Sequence, residues 1–166
     1  MWTLAEFNDL DTPTARAELL TCCSSPEWAE TVSDARPFGS NGELREFADT
    51  AYDRLSEVQI DQAVKAHPEI GERATGRGHE SSWSHQEQDA ALEAEEETKK
   101  ELAQVNAEYR ERFGHVFLIC ATGLGTERIL AEARRRLHND PDSEAAEVAA
   151  ELRKIVRIRL GKLVSR

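Results

Sequence analysis

The run VFLICA, Val116 to Ala121, decides the fold class of this chain. It is a continuous apolar stretch bounded by Gly114 on one side and by Gly123 and Gly125 on the other, and taken alone it has the length and flanks of a buried β-strand. A strand needs a partner, and no second stretch of the sequence has the same character. The other apolar patterns recur at three- and four-residue spacing, the signature of helices. The chain therefore reads as all-α, a single domain over residues 1–166 built as an irregular bundle of about eight helices, with Val116–Ala121 as one extended buried segment. Such a segment has no ladder for its amides and carbonyls, which must be met by side chains, water or a ligand.

On the C-terminal side, Thr126 starts a helix through Leu130 to Leu137 that Asn139 stops, and Asp140-Pro141 opens a last helix running to about Leu163. At about 100° per residue, Val148, Leu152, Ile155, Val156 and Leu163 form one stripe, and Arg159 falls near its centre while Arg153 and Arg157 point elsewhere. An arginine on a core-facing stripe requires a partner, because an isolated buried charge is costly. That partner is either one of the chain's own carboxylates or a carboxylate on a substrate, which the flat guanidinium grips in bidentate fashion. Arg134-Arg135-Arg136 and the basic tail from Arg153 read as solvated helix faces.

On the N-terminal side, residues His85 to Phe113 read as one long helix, with Leu92, Leu102, Val105, Tyr109 and Phe113 as its apolar stripe and Gly114 as its C-terminal cap. The Glu- and Lys-rich middle, Glu93 to Glu101, reads as an exposed face. Ser84-x-x-Glu87 has the form of a capping box opening that helix. It would leave the hydroxyl and free amides of a helix start available to an anion. Before it lies a Gly-, Ser- and His-containing run, Thr75 to Ser84, that fits no regular pattern, and before that HPEIG, His67 to Gly71. A residue before proline is held out of the helical region, so His67 ends the preceding helix on a rigid turn that can aim one imidazole. The same His-Pro pair also serves simply as a turn, and a glutamate at the third position of a helix also serves simply as a cap.

The first third reads as short helices separated by breakers: Thr12-Pro13 and Ser25-Pro26 are helix starts, with Leu19, Leu20, Trp28 and Val32 supplying apolar faces. After Arg36-Pro37-Phe38-Gly39, Ser40 or Asn41 caps a helix bearing Leu44, Phe47, Ala48, Ala51 and Leu55. Ser56-x-x-Gln59 is a second capping box, leading through Val58, Ile60, Ala63 and Val64 to His67.

Composition bounds the function. The formal net charge is -11 and the pI about 5.0, which disfavours a nucleic-acid partner. Charged residues make up 32% and the mean hydropathy is -0.62, and the longest apolar run is far short of the roughly 20 residues a bilayer requires, so no membrane association is expected. Three cysteines, with Cys22 and Cys23 adjacent, form neither a disulfide framework nor a zinc spacing, and a reducing, cytoplasmic setting is expected. Histidines 67, 79, 85, 115 and 138 lack metal-ligand spacing, so no metal is expected. Gly123-Leu124-Gly125 is too short for a dinucleotide fingerprint.

Taken together, His67-Pro68 with Ile70-Gly71, Ser84-x-x-Glu87-Gln88, Phe113-Gly114 through Phe117 to Gly123, and Arg159-Leu160 resemble the 2-oxo-4-hydroxy-4-carboxy-5-ureidoimidazoline (OHCU) decarboxylase family. Weaker echoes are Phe7-Asn8, Cys22-Cys23, Trp28 and Arg36-Pro37-Phe38, and Asp89-Ala90 stands where the family often has a small residue and glycine. The resemblance implies a cofactor-independent decarboxylase of urate degradation acting on a small-molecule substrate to yield (S)-allantoin and carbon dioxide. It implies His67 and Glu87 as catalytic residues, and Pro68, Ser84, His85, Gln86, Gln88, Ile119, Cys120, Ala121, Thr122, Gly123 and Arg159 as substrate-binding residues. It also implies a homodimer. The competing reading is a non-enzymatic helical interaction module that binds a basic partner through its acidic helix.

Overall fold

Short polar residues placed one step ahead of apolar periodicity set the helix starts in this chain. The computed structural model describes residues 1–70, 79–87 and 96–165. Among these residues the regular structure is all-α, with nine helices: α1 (Leu4–Asp9), α2 (Thr12–Cys22), α3 (Pro26–Asp34), α4 (Asn41–Asp53), α5 (Glu57–Val64), α6 (His79–Glu87), α7 (Glu96–Phe113), α8 (Thr126–Arg136) and α9 (Pro141–Leu163). Ser25 caps α3 by accepting from the Trp28 amide, and Ser40 caps α4 by accepting from the Glu43 amide. At α5 the predicted box is closed both ways, since the Gln59 amide donates to Ser56 Oγ and the Ser56 amide to Gln59 Oε1. The start of α2 differs by one residue. Asp11 is its cap and accepts from Thr14, because a carboxylate one position earlier reaches the free amides as well as Thr12 would.

The chain divides into two compact units, Met1–Ala63 with Arg153–Arg166, and Val64–Leu152. Helix α9 passes from the second to the first at Leu152 and Arg153.

The first unit contains α1 to α5 and the C-terminal part of α9 around a core that includes Phe7, Leu19, Trp28, Val32, Leu44, Val156, Leu160 and Leu163. Trp28, fully buried, satisfies its indole N–H on the Ala48 carbonyl at 3.0 Å. The echoes Phe7-Asn8 and Arg36-Pro37-Phe38 meet each other: Asn8 exchanges two hydrogen bonds with the Phe38 backbone, and Arg36 donates to the carbonyls of Phe7 and Leu10. The chain ends are tied by a bridge between Trp2 and Val164. Leu20 and Phe47, expected on apolar faces, are each 37% exposed, and Val58 is more exposed still. Their neighbours Leu19, Ala48 and Ile60 take the inward positions, since one helix turn cannot aim two successive residues at one core.

The second unit is organised around the extended segment. Phe117, Ile119 and Ala121 join Leu102, Val105 and Tyr109 of α7, Ile129, Leu130 and Ala133 of α8, and Ile70 in one apolar cluster. Gly114 ends α7 at φ +79°, and its amide donates to the Arg110 carbonyl at 2.8 Å, the left-handed cap that glycine adopts without strain. From there the chain runs through Val116–Ala121 as neither helix nor strand, with Phe117 to Ile119 and Ala121 buried. No helix among the described residues is long and apolar enough to cross a membrane.

Candidate active site

His67 sits three residues past the end of α5, and its amide closes the helix on the Val64 carbonyl at 3.0 Å. Pro68 then denies the chain another helical turn. The loop is held on α7 at two further points. Glu69 pairs with Arg110 at 3.2 Å, and the buried Asn106 donates to the Ile70 carbonyl at 2.8 Å. Ile70 is buried in the same cluster as Ile119 and Ala121. The half-buried His67 and Pro68 therefore stand on a short loop with a fixed far end, the kind of mount that keeps an imidazole in one place.

Ser84 and Glu87 require a correction. They were expected to open a helix at its N-terminus, but α6 begins at His79, so Ser84 lies inside the helix and Glu87 is its final residue. The physical reason is burial. His79–Glu87 has little helical periodicity in its sequence, yet Trp83, Ser84 and Glu87 are all buried, and tertiary packing overrides local preference. The arrangement still serves chemistry, because residues three apart share a helix face, placing a hydroxyl and a carboxylate side by side. Gln86 is exposed, His85 is a residue of α6, and Gln88 lies outside the described residues.

Along the extended segment, Ile119 and Ala121 are buried, Cys120 is half-buried, and Thr122 and Gly123 are exposed in a turn where Gly123 has φ +79°. The Leu124 amide donates to the Ala121 carbonyl at 3.0 Å and closes that turn. Farther back, the Leu118 carbonyl is taken by a side chain: Arg136 Nη1 donates to it at 2.8 Å. Arg136 was expected on a solvated face, and it is 1% exposed. Its Nε and Nη2 donate to Glu144 Oε1 at 2.8 and 2.5 Å, its guanidinium lies 4.6 Å from the Phe117 ring centroid, and Glu144 also accepts from the Tyr109 hydroxyl at 2.6 Å. Burial, and then the Glu144 carboxylate, hold the Tyr109 phenol well above its ordinary range. The signal was present in the sequence. Ile129, Ala133 and Arg136 fall on one face of α8, and the arithmetic applied to Arg159 finds Arg136 as well.

Arg159 is buried at 6% exposure in the first unit, as its place on the stripe required, and its Nη1 donates to the Thr21 carbonyl at 3.2 Å. Arg153 and Arg157 on the same helix turn outward to Asp53 and Asp49. Cys22 and Cys23 are buried, and burial pushes both thiols up to about 12, partly opposed by the positive charge of Arg159. Thiols of that kind are core rather than nucleophiles.

A family model described as OHCU decarboxylase matches residues 8–161. The chain is 32% identical over 143 residues to a 2-oxo-4-hydroxy-4-carboxy-5-ureidoimidazoline decarboxylase of Amia calva, covering 84% of this chain and 81% of that protein. It is 30% identical over 151 residues to the uric acid degradation bifunctional protein TTL of Arabidopsis thaliana, covering 89% of this chain and 47% of that protein, so it spans about half the length of that relative. Among solved structures, the crystal structure of an OHCU decarboxylase in the presence of (S)-allantoin matches with a TM-score of 0.78 at 28% identity, covering 90% of this chain and 98% of that one.

Proposed function

The chain belongs to the OHCU decarboxylase family, and from that premise we infer that it converts 2-oxo-4-hydroxy-4-carboxy-5-ureidoimidazoline to (S)-allantoin and carbon dioxide in urate degradation. The activity is that of a carboxy-lyase. The observation that carries this reading is the family match over residues 8–161 together with the shared all-α fold.

The substrate's own chemistry defines the protein's task. When the bond to the carboxylate breaks, its electron pair passes into the unsaturated ring, leaving an enol-like intermediate. A proton must leave the ring hydroxyl and one must reach the carbon bearing the ureido group, on one face only. We assign the proton transfers to His67. What supports this is an imidazole on a loop anchored by Asn106 and Arg110. Glu87 orients substrate and proton. Its support is a buried carboxylate one turn from the buried Ser84 hydroxyl on α6. Ser84, His85, Gln86 and Gln88 bind polar ring or ureido groups, Pro68 forms a wall, and the backbone of Ile119 through Cys120, Ala121 and Thr122 to Gly123 offers hydrogen-bonding groups to the substrate. Arg159 binds an anionic part of the substrate, a role suited to a planar fork. The reading assigns no cofactor, takes residues 1–166 as one domain of this family, and includes a homodimer in the cytoplasm.

The test is stereochemical. With freshly generated OHCU, supplied by urate oxidase and hydroxyisourate hydrolase, the chain should produce (S)-allantoin rapidly, and His67→Asn should reduce the reaction to spontaneous decay, which gives racemate, without unfolding the protein. Glu87→Gln should lower turnover with little change in Tm. Racemic product from the unaltered chain would favour a non-enzymatic interaction module instead.

A further inference from the structure

We propose that Arg136, locked in place by Glu144, is a positioning residue for the reaction: it holds the Leu118 carbonyl and thereby sets the backbone of Ile119 to Gly123 at the height where that backbone meets substrate. The inference rests on the reading of Ile119–Gly123 as a substrate-binding strip, and it adds residues that neither the sequence motifs nor the family match assigns to the site.

An extended segment buried in a helical unit must have its carbonyls met one by one, and Leu118 lies between the buried Phe117 and Ile119. Arg136 meets that carbonyl with Nη1 at 2.8 Å while Nε and Nη2 grip Glu144 Oε1. A guanidinium has a fixed fork, so fastening two of its nitrogens to a carboxylate determines where the third points. The carboxylate is itself fastened. Tyr109 of α7 donates to Glu144 Oε1 at 2.6 Å, and Asn139 Nδ2 donates to Oε2 at 3.0 Å. Phe117, one residue before the bonded carbonyl, packs edge-on against Tyr109 with ring centroids 5.3 Å apart and has the guanidinium carbon over its ring at 4.6 Å. The segment is thus pinned at adjacent residues by one node that reaches α7, α8 and α9. An ion pair with side-chain exposures of 2% and 1% is a poor way to gain stability alone, because desolvation cancels most of the attraction. Its geometric specificity is what a packed apolar pair would not supply. The residue immediately after the pinned carbonyl is Ile119, the first of the strip.

The experiment separates positioning from stability by removing both charges together. Arg136→Met combined with Glu144→Met replaces the pair by apolar side chains of comparable bulk and leaves no orphaned charge, so the protein should stay folded. With freshly generated OHCU, KM should rise about tenfold while kcat changes by less than about threefold, the pattern expected when ground-state and transition-state binding weaken together. Amide hydrogen exchange over Leu118–Gly123 should quicken in the same variant. Arg135→Met, which removes exposed pairs to Glu132 and Glu147 on the same helix, should change neither quantity. Arg136→Lys keeps the charge without the fork and should shift KM in the direction of the double variant. Unchanged exchange in the folded double variant overturns the anchoring while leaving the substrate strip standing. Quickened exchange with an unaltered KM overturns the proposal by removing the strip from the site. Quickened exchange with raised KM supports it.

Discussion

In the second unit, Arg136 lies between a carboxylate, a carbonyl and an aromatic face, all supplied by the chain itself. In the first unit, Arg159 is buried to a similar degree on the centre of an apolar stripe and donates one guanidinium nitrogen to the Thr21 carbonyl. Helical arithmetic treats these two arginines alike, since each recurs with apolar residues at three- and four-residue spacing. What separates them is the company they keep. Glu144 comes within 2.5 Å of Arg136, while Arg159 meets the Thr21 carbonyl at 3.2 Å and its helix neighbours Arg153 and Arg157 engage Asp53 and Asp49. A buried cation locked to the chain's own carboxylate belongs to the architecture, whereas the role proposed for Arg159 is to meet an anion brought by the substrate.

The contrast breaks most sharply under truncation. Arg136→Met alone leaves Glu144 buried without its cation and should cost about 3 to 5 kcal/mol in chemical denaturation, the largest effect expected here. An Arg136→Met protein as stable as the unaltered chain would mean that the node is not what holds the unit. Arg159→Met should cost less stability than Arg136→Met, while substrate binding weakens strongly. Arg159→Lys, lacking the planar fork, should remain impaired in turnover in a stable protein. A destabilisation matching that of Arg136→Met, or full activity in the lysine variant, would erase the distinction between the two arginines.

The smallest effect lies at alkaline pH. A group whose folded pKa is raised contributes stability that is complete below its unfolded pKa and is lost as pH rises toward the folded value. Cys22 and Cys23 beside Arg159 stand at about 12, against an unfolded thiol near about 8.5, so their contribution should begin to fall above about pH 8.5. Tyr109, raised by burial and then by Glu144, should add its loss only above about pH 10, where an unfolded phenol titrates. By pH 9 each thiol should have given up somewhat under about 1 kcal/mol. Denaturant midpoints measured from pH 7 to 9 on the unaltered chain and on Cys22→Ala with Cys23→Ala should show the decline flattened in the variant. An identical profile would remove the thiols as its source.

Local rules carried a good deal of this molecule. Capping residues and proline positions marked the starts of α3, α4, α5 and α9 because those signals act within four residues, the span of the first free amides of a helix. The apolar run from Val116 was legible as a mostly buried segment outside any sheet, since its solitude ruled one out. His67 was legible as a turn residue because proline's steric constraint on its predecessor is local too. The start of α6 was not legible. Ser84-x-x-Glu87 is a good capping sequence, and only packing that buries Trp83, Ser84 and Glu87 places it within a helix begun at His79.

The sequence by itself determined the all-α class, most helix boundaries, the extended segment, the burial of Arg159 and, through its motifs, the family, because each depends on short-range sterics, hydrogen bonding or periodicity. Only the tertiary structure decided that Glu144 is the partner of Arg136, that Asn106 holds the His67 loop through Ile70, and that Tyr109 closes on the same carboxylate. Those pairings join residues 8, 36 and 35 positions apart. A buried charge announces that it needs a partner, but which of the chain's many carboxylates arrives is settled by the packing of helices remote in sequence, where the cost of an unmet charge selects the arrangement that meets it.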